Sequence, residues 1–236
     1  ITASNNGVCI NTAGVRYSIQ PVIGATSYRW EVPAAGTIVS GQGSLSIVVN
    51  WGASYVDSNI RVYAVNGTCE SDVPASFRVR VLPCIDAVND SGQVNGYTGN
   101  ANLLNILVND TIDGVVTQQG SVRIRIVTPP SNPNIVVDTT TGVVGVLPGT
   151  PAGNYSFVYS ICDTLGLGVC DTAIVTITVT PPAIVAVGNA GTVNGYVGNP
   201  SLLNVLPNDS LNGAVVVPAQ VRISIVTPPA AGISLD

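Results

Sequence analysis

Cys162, Asp163, Cys170 and Asp171 put two thiols and two carboxylates at the ends of one short stretch. Paired acids can hydrolyse glycosides, one donating a proton while the other acts as base or nucleophile. Paired thiols in an oxidising compartment form a disulfide. A glycosidase also needs an aromatic-lined cleft, and aromatic residues are only 5% of this chain. A disulfide needs only two strands and a turn, and Gly166 and Gly168 between the cysteines read as that turn. We therefore expect Cys162 to pair with Cys170, closing a short loop with an entropic benefit of about 2–3 kcal/mol.

The chain's absences exclude most other chemistry. It has no His, Lys or Met. Without His, Ser-His-Asp and Cys-His nucleophiles and His-ligated metal sites are excluded; without Lys, so are Schiff bases and Lys–Asn cross-links. Eight basic residues, all Arg, face 13 acidic ones for a net charge of −5, spread without blocks, which leaves no basic face for nucleic acid. The composition is too apolar for disorder, yet no apolar run is long enough to span a membrane. Five cysteines at wide spacings with no Cys-x-x-Cys pair read as structural cysteines of an exported protein. The expected location is extracellular, without membrane insertion, and catalysis is not expected.

The elements that position these residues come in repeats. Residues 87–130 and 186–229 align without a gap at an offset of 99 and agree at 25 of 44 positions. That period suits an independently folded module rather than a solenoid turn. Beyond that stretch the second copy is one residue shorter and reaches Asp236, the counterpart of Asp138, in mid-module. The chain thus reads as a window on a longer array, divided into residues 1–82, 83–182 and a partial copy, 183–236.

Period-two alternation and β-branched runs predict strands over 15–20, 27–32, 45–50, 59–65 and 76–82, then over 122–127, 135–138, 143–146, 155–162 and 172–179. Glycines at 41, 43 and 67 supply turns, and Val-Thr-Pro-Pro recurs at 127–130, 179–182 and 226–229, where proline pairs stiffen connections. Tyr28 and Trp30 share a strand face, with Trp30 as core anchor. The run 103–107 is too short for a helix and reads as a buried strand or a plug. The expected fold is all-β, tandem β-sandwich modules in an extended array.

Tyr17, Tyr28-Arg29-Trp30-Glu31-Val32-Pro33, Gly41-Gln42-Gly43-Ser44 and Val48-Val49-Asn50-Trp51-Gly52 make residues 1–82 resemble the PKD-like immunoglobulin-type modules of large Bacteroidota surface proteins. Leu-Leu-Asn-Ile-Leu-Val-Asn-Asp at 103–110 and the Gly/Val-rich run at 141–155 make residues 83–236 resemble bacterial Ig-like or cadherin-like repeats of giant adhesins. The resemblance makes those sandwiches immunoglobulin-like and implies export by the type IX system and display on the cell surface as an adhesive or structural fibre, such as a gliding adhesin or prey-capture appendage. It implies a Cys9–Cys69 pair, with Cys84 unpaired, competing for Cys9 or joined to another chain. Cadherin-like arrays stiffen their joints with calcium held by aspartates, which here nominates Asp86, Asp90, Asp110 and Asp113. Their counterparts Val185, Asn189, Asp209 and Asn212 retain one charge of the four, and Asx-turn chemistry explains Asn-Asp equally well. No other cofactor is implied. Asp followed by Thr or Ser and a small or apolar residue resembles the O-glycosylation signal of exported Bacteroidota proteins, at Thr111, Thr139, Thr164, Thr172 and Ser210, residue types that also suit turns.

The favoured function is a shaft segment, a mechanical spacer in a giant adhesin or filament. Its partners would be other modules of the same chain, identical chains packed alongside, and a cell-surface or glycan target reached through regions outside this segment. The first alternative is an array of carbohydrate- or protein-binding modules gripping ligand near Trp51 or Tyr55. The second is a set of accessory modules of a secreted hydrolase. Tyr97 and Tyr196, at matching positions, are expected to pack a joint or core edge.

Overall fold

A computed structural model describes residues 1–4 and 7–234; Asp236 lies outside the described residues. The first sandwich contains β1 (Thr2–Ala3), β2 (Gly7–Cys9), β3 (Val15–Ser18), β4 (Ser27–Glu31), β5 (Gly36–Ser40), β6 (Ser46–Trp51), β7 (Val56–Asn66), β8 (Cys69–Glu70) and β9 (Ala75–Leu82). One sheet runs β1-β3-β6-β5, and the other runs β2-β9-β7-β4 with β8 beside β7. Alternate residues turn inward because side chains in a strand point to opposite faces. Tyr17, Trp30, Ile47, Val49, Trp51, Ile60, Val62, Val79 and Val81 form the core. The Trp30 indole donates to the Ser44 carbonyl at 2.9 Å, which lets a polar ring atom be buried. At the open edge of β4, the Gln42 amide accepts from the Trp30 N–H and donates to its carbonyl, standing in for a neighbouring strand.

The second sandwich is built from β10 (Ile85–Asp86), β11 (Asp90–Asn95), β12 (Asn100–Asn105), β13 (Thr111–Ile112), β14 (Val115–Val116), β15 (Arg123–Thr128), β16 (Ile135–Val137), β17 (Val143–Val146), β18 (Gly153–Cys162) and β19 (Cys170–Thr180). Sheets β11-β19-β18-β15 and β12-β17-β16 enclose Ile106, Val144, Val146, Phe157, Tyr159, Ile161, Val175 and Ile177. Within the run 103–107, Leu103 to Asn105 end strand β12, while Ile106 and Leu107 plug the core. In both sandwiches the entering strand lies parallel to the leaving one: β2 on β9, Gly7 opposite Arg80, and β11 on β19 from Asp90–Val175 through Asn95–Thr180.

Residues 183–234 form β20 (Ile184–Val185), β21 (Ser210–Leu211) and β22 (Ala214–Val215), one three-residue 3₁₀ turn at Pro218–Gln220, and a small core of Leu206, Leu211 and Val216. The chain is all-β, built as tandem immunoglobulin-like sandwiches.

Cys162 and Cys170 face each other at the end of the β18–β19 ladder and are bonded. The expected Cys9–Cys69 pair is corrected. Cys9 bonds to Cys84, with Cα atoms 5.3 Å apart, and Cys69 is an exposed free thiol. Register explains this: Cys9 lies opposite Leu82, two residues before Cys84, and Val56 of β7 lies opposite Val81 at the same end. Cys69 pairs with Asn66, ten residues further along β7, or about 33 Å away at the strand rise. Cys84 is therefore neither unpaired nor joined to another chain. The 75-residue separation gives this bond an entropic benefit of about 4.5 kcal/mol.

Candidate functional site: the joints between modules

Each joint is built on a two-residue hairpin turn. Asp113-Gly114 joins β13 to β14, and Asn212-Gly213 joins β21 to β22; all four residues have positive φ, between 52° and 79°. Asp-Gly and Asn-Gly favour this type I′ geometry because both central residues need that backbone region. At the first joint the Asp113 N–H donates to the Cys84 carbonyl at 2.7 Å, and the Cys84 N–H donates to Asp113 Oδ1 at 2.8 Å. The Tyr55 hydroxyl, from the preceding sandwich, donates to Asp113 Oδ2 at 3.3 Å. Burial, and then the Asp113 charge, push the Tyr55 hydroxyl pKa up.

The second joint repeats this latch with different parts. The Asn212 N–H donates to the Ala183 carbonyl at 2.7 Å, and the Ala183 N–H donates to Asn212 Oδ1 at 2.9 Å. Asn95 of the preceding sandwich donates through Nδ2 to the same oxygen at 2.9 Å. The buried Asn212 Nδ2 finds no acceptor.

Other carboxylates tie down the chain between sandwiches. The Ala87 N–H donates to Asp171 Oδ2 at 2.9 Å and the Val88 N–H to Asp110 Oδ1 at 2.7 Å; in the next copy the Val187 N–H donates to Asp209 Oδ1 at 2.8 Å. The disulfide-stapled loop also reaches across, where Arg80 donates through Nη2 to the Leu167 carbonyl at 3.3 Å. Asp163 shapes that loop by accepting the Leu167 and Val169 amides at 2.8 and 2.9 Å. Burial works against its ionisation, but these amides outweigh it and hold the carboxyl below its usual range. Asp163 and Asp171 thus act as hydrogen-bond caps.

The four nominated calcium ligands do not converge. Among the described residues no three acidic, histidine or cysteine side chains come together to hold a metal ion. Asp113 is engaged by Cys84 and Tyr55, while Asp86 is exposed on β10. Only Asp90 and Asp110 meet, around the Tyr159 hydroxyl, which lies 3.2 Å from Asp90 Oδ2 and 3.0 Å from each Asp110 oxygen. Asp110 is fully buried. Burial, then the neighbouring Asp110 charge, push the Asp90 carboxyl up to about 6, and burial raises Asp110 too. One hydroxyl proton serves two carboxylates, so a proton held by Asp90 relieves their repulsion.

The remaining candidates are scattered. Trp51 is 3% exposed and sits edge-on to Tyr17, so the proposed ligand grip at that residue is corrected to core packing. Tyr55 belongs to the first joint. Tyr97, 39% exposed, lines a hollow with Pro151, Pro181 and Pro182 at the second joint, as expected of a joint edge, whereas Tyr196 is 99% exposed and packs against nothing there. Thr139, Thr164 and Thr172 are exposed, whereas Thr111 and Ser210 are half-buried in the joint hairpins. The latch itself was missed in the sequence, although Asp113-Gly114 and Asn212-Gly213 between β-branched or apolar residues are its signal.

Stacked β-sandwiches latched end to end define a modular class of protein. Residues 1–79 match the family of PKD-like domains. No match was found among the curated proteins. Among solved structures the chain is similar to the human desmocollin-1 ectodomain, at 14% identity and a TM-score of 0.33, covering 78% of this chain and 40% of that one. It is also similar to human mucin-like protocadherin EC1-2 (13% identity, TM-score 0.32, 76% and 98% covered) and mouse cadherin-23 EC22-24 (12%, 0.33, 74% and 62%). These superpositions are loose over the whole chain, which spans about two fifths of the desmocollin-1 ectodomain. A PKD-like, immunoglobulin-type module fits a structural or adhesive role, and no catalytic family is indicated. Among the described residues no helix is long and apolar enough to cross a membrane.

Proposed function

We propose that this chain is a length of shaft from a giant extracellular surface adhesin or filament, of the gliding or prey-capture type and exported by type IX secretion. Its work is to space a binding region from the cell and to carry tension. The modules are residues 1–82, 83–182 and a partial copy, 183–236. Identical chains can pack alongside, and Thr139, Thr164 and Thr172 are the exposed candidates for glycans. The target is bound by regions outside this segment.

The observation that carries the reading is the parallel pairing of entering and leaving strands. Tension enters the second sandwich through β11 and leaves through β19, which lie side by side and point the same way. Pulling the ends apart slides one strand along the other, so the whole ladder from Asp90–Val175 to Asn95–Thr180 must fail together. An antiparallel terminal pair entering and leaving at one end would instead peel bond by bond. The joint latches, reappearing at Asn212, support the same reading.

Imaging the native full-length molecule by electron microscopy tests it. An extended shaft of serial beads about 100 residues in size, single or bundled, is expected. Modules clustered around a large globular catalytic body would overturn it.

A further inference from the structure

We propose that the Cys9–Cys84 disulfide is a covalent force bypass, which routes tension around the first sandwich and makes residues 10–83 an inextensible segment of the shaft. The inference rests on the tension-bearing reading above for its purpose, but the bypass is a property of the chain that can be read on its own. Cys9 is the last residue of β2, and Cys84 follows directly on β9 at the point where the chain enters the next sandwich. Nearly every strand of the first sandwich, from β3 through β9, lies within the loop they close. Tension applied to the N-terminus first meets β1, whose two residues pair with Ser18 and Tyr17 of β3; beyond that short edge pairing it runs along β2, crosses the sulfur–sulfur bond and continues through Cys84 into β10. The ladders among β3 to β7 and between β7 and β9 are not on that path.

The second sandwich is wired differently. Its disulfide joins Cys162 to Cys170, a separation of 8, and shortens only one hairpin loop. Its entering and leaving strands are held by hydrogen bonds alone, six residue pairs in parallel register against three, among the described residues, for β2 on β9. The longer ladder stands where no covalent route exists, and the shorter one stands beside a bond that relieves it. One module therefore keeps its shape under load while its neighbour acts as the element that yields. A sandwich spared from stretching can hold its outward sheet face, with Arg29, Arg61, Arg78 and Arg80 among Glu31, Asp57 and Glu70, in fixed geometry at any tension the bond survives.

Pulling single molecules of the full chain by their termini tests the bypass. The oxidised protein should show one sandwich rupture, lengthening the chain by roughly 25 nm as residues 90–180 extend with their hairpin loop still closed. The Cys9→Ser/Cys84→Ser variant should show a second rupture that also releases about 25 nm. Should that variant fail to fold, dithiothreitol added to the folded wild-type protein gives the same reading. One dithiol gives two electrons and two protons to Cys9–Cys84 and closes to its cyclic disulfide; a second does the same at Cys162–Cys170, adding about 3 nm to the other step. Two ruptures from the oxidised protein, or no added rupture after the bond is removed, would overturn the bypass. A second sandwich that yields without measurable resistance would instead count against the tension-bearing function and leave the bypass standing.

Discussion

Residues 87–130 and 186–229 agree at 25 of 44 positions and fold to different extents. The first copy forms β11, β12 and β15, each in a ladder; in the second the corresponding residues 189–194, 199–204 and 222–227 form no strand. Short-range features are shared. Asn95 and Asn194 both accept the amide two residues on, as do Asn100 and Asn199, and Asn105 and Asn204. Both copies also build the joint hairpin. What separates them is the partner strands: β11 needs β19, β15 needs β18 and β12 needs β17, all supplied by residues 143–180. Turns and the joint latch are therefore written locally, while the sheets depend on a hairpin far along the chain.

The largest expected effect comes from erasing that difference. Appending residues 131–182 after Pro229 should complete the third sandwich, and amide exchange at 189–194 and 222–227 should slow by about a thousandfold or more. Unchanged exchange there would show that the two copies differ in their own residues.

A matched pair of glycines sharpens the comparison further. A Cβ at Gly96 would collide with the Thr150 carbonyl and Val179, whereas one at Gly195 meets nothing within 4 Å. Gly96→Ala should cost about 3 kcal/mol in denaturant unfolding of the second sandwich. Gly195→Ala should be close to neutral, and equal effects would contradict the packing described.

Asp90 and its counterpart Asn189 form a second matched pair. A carboxyl raised to about 6 when folded favours the folded state fully at low pH, below its unfolded value. That contribution is lost as pH rises through 6, so the second sandwich should be more stable near pH 4.5 than at pH 7.5 with respect to this group. Asp90→Asn should reduce the dependence, leaving the part that the buried Asp110 contributes, and add about 2 kcal/mol at pH 7.5. Thermal unfolding across pH checks this, and an undiminished slope in the variant would contradict it.

The smallest effect concerns the latches. Asn212 leaves a buried amide donor without a partner, where Asp113 has none to satisfy. Asn212→Asp should let a second oxygen take that place and strengthen the second joint by about 1 kcal/mol. Slower exchange of the Ala183 amide is the readout.

Much of this architecture was legible in the sequence, because alternation marks a strand with one buried face wherever it occurs. Trp30 and the runs now in β4, β6, β18 and β19 were found that way, and the Cys162–Cys170 pair came from a local hairpin. Cys9–Cys84 was not legible, since it depends on β2 adding in parallel to β9, a pairing that no local pattern encodes. Asp110 and Asp113 were visible as residues but not in their roles. Whether a carboxylate holds a cation or caps an amide depends on where the linker passes, at Cys84 and Val88. The chain's own repeat held a clue: Asn replaces Asp at 212, and an amide oxygen keeps the cap while losing the charge.

The central claim is that terminal tension loads the β11–β19 ladder in shear. Its most direct test compares two pulling directions on the second sandwich: through the chain termini, and through tethers at residues 152 and 181, where the antiparallel β18–β19 pair opens from one end. The account predicts a rupture force several-fold higher through the termini. Equal, low forces in both directions would contradict it.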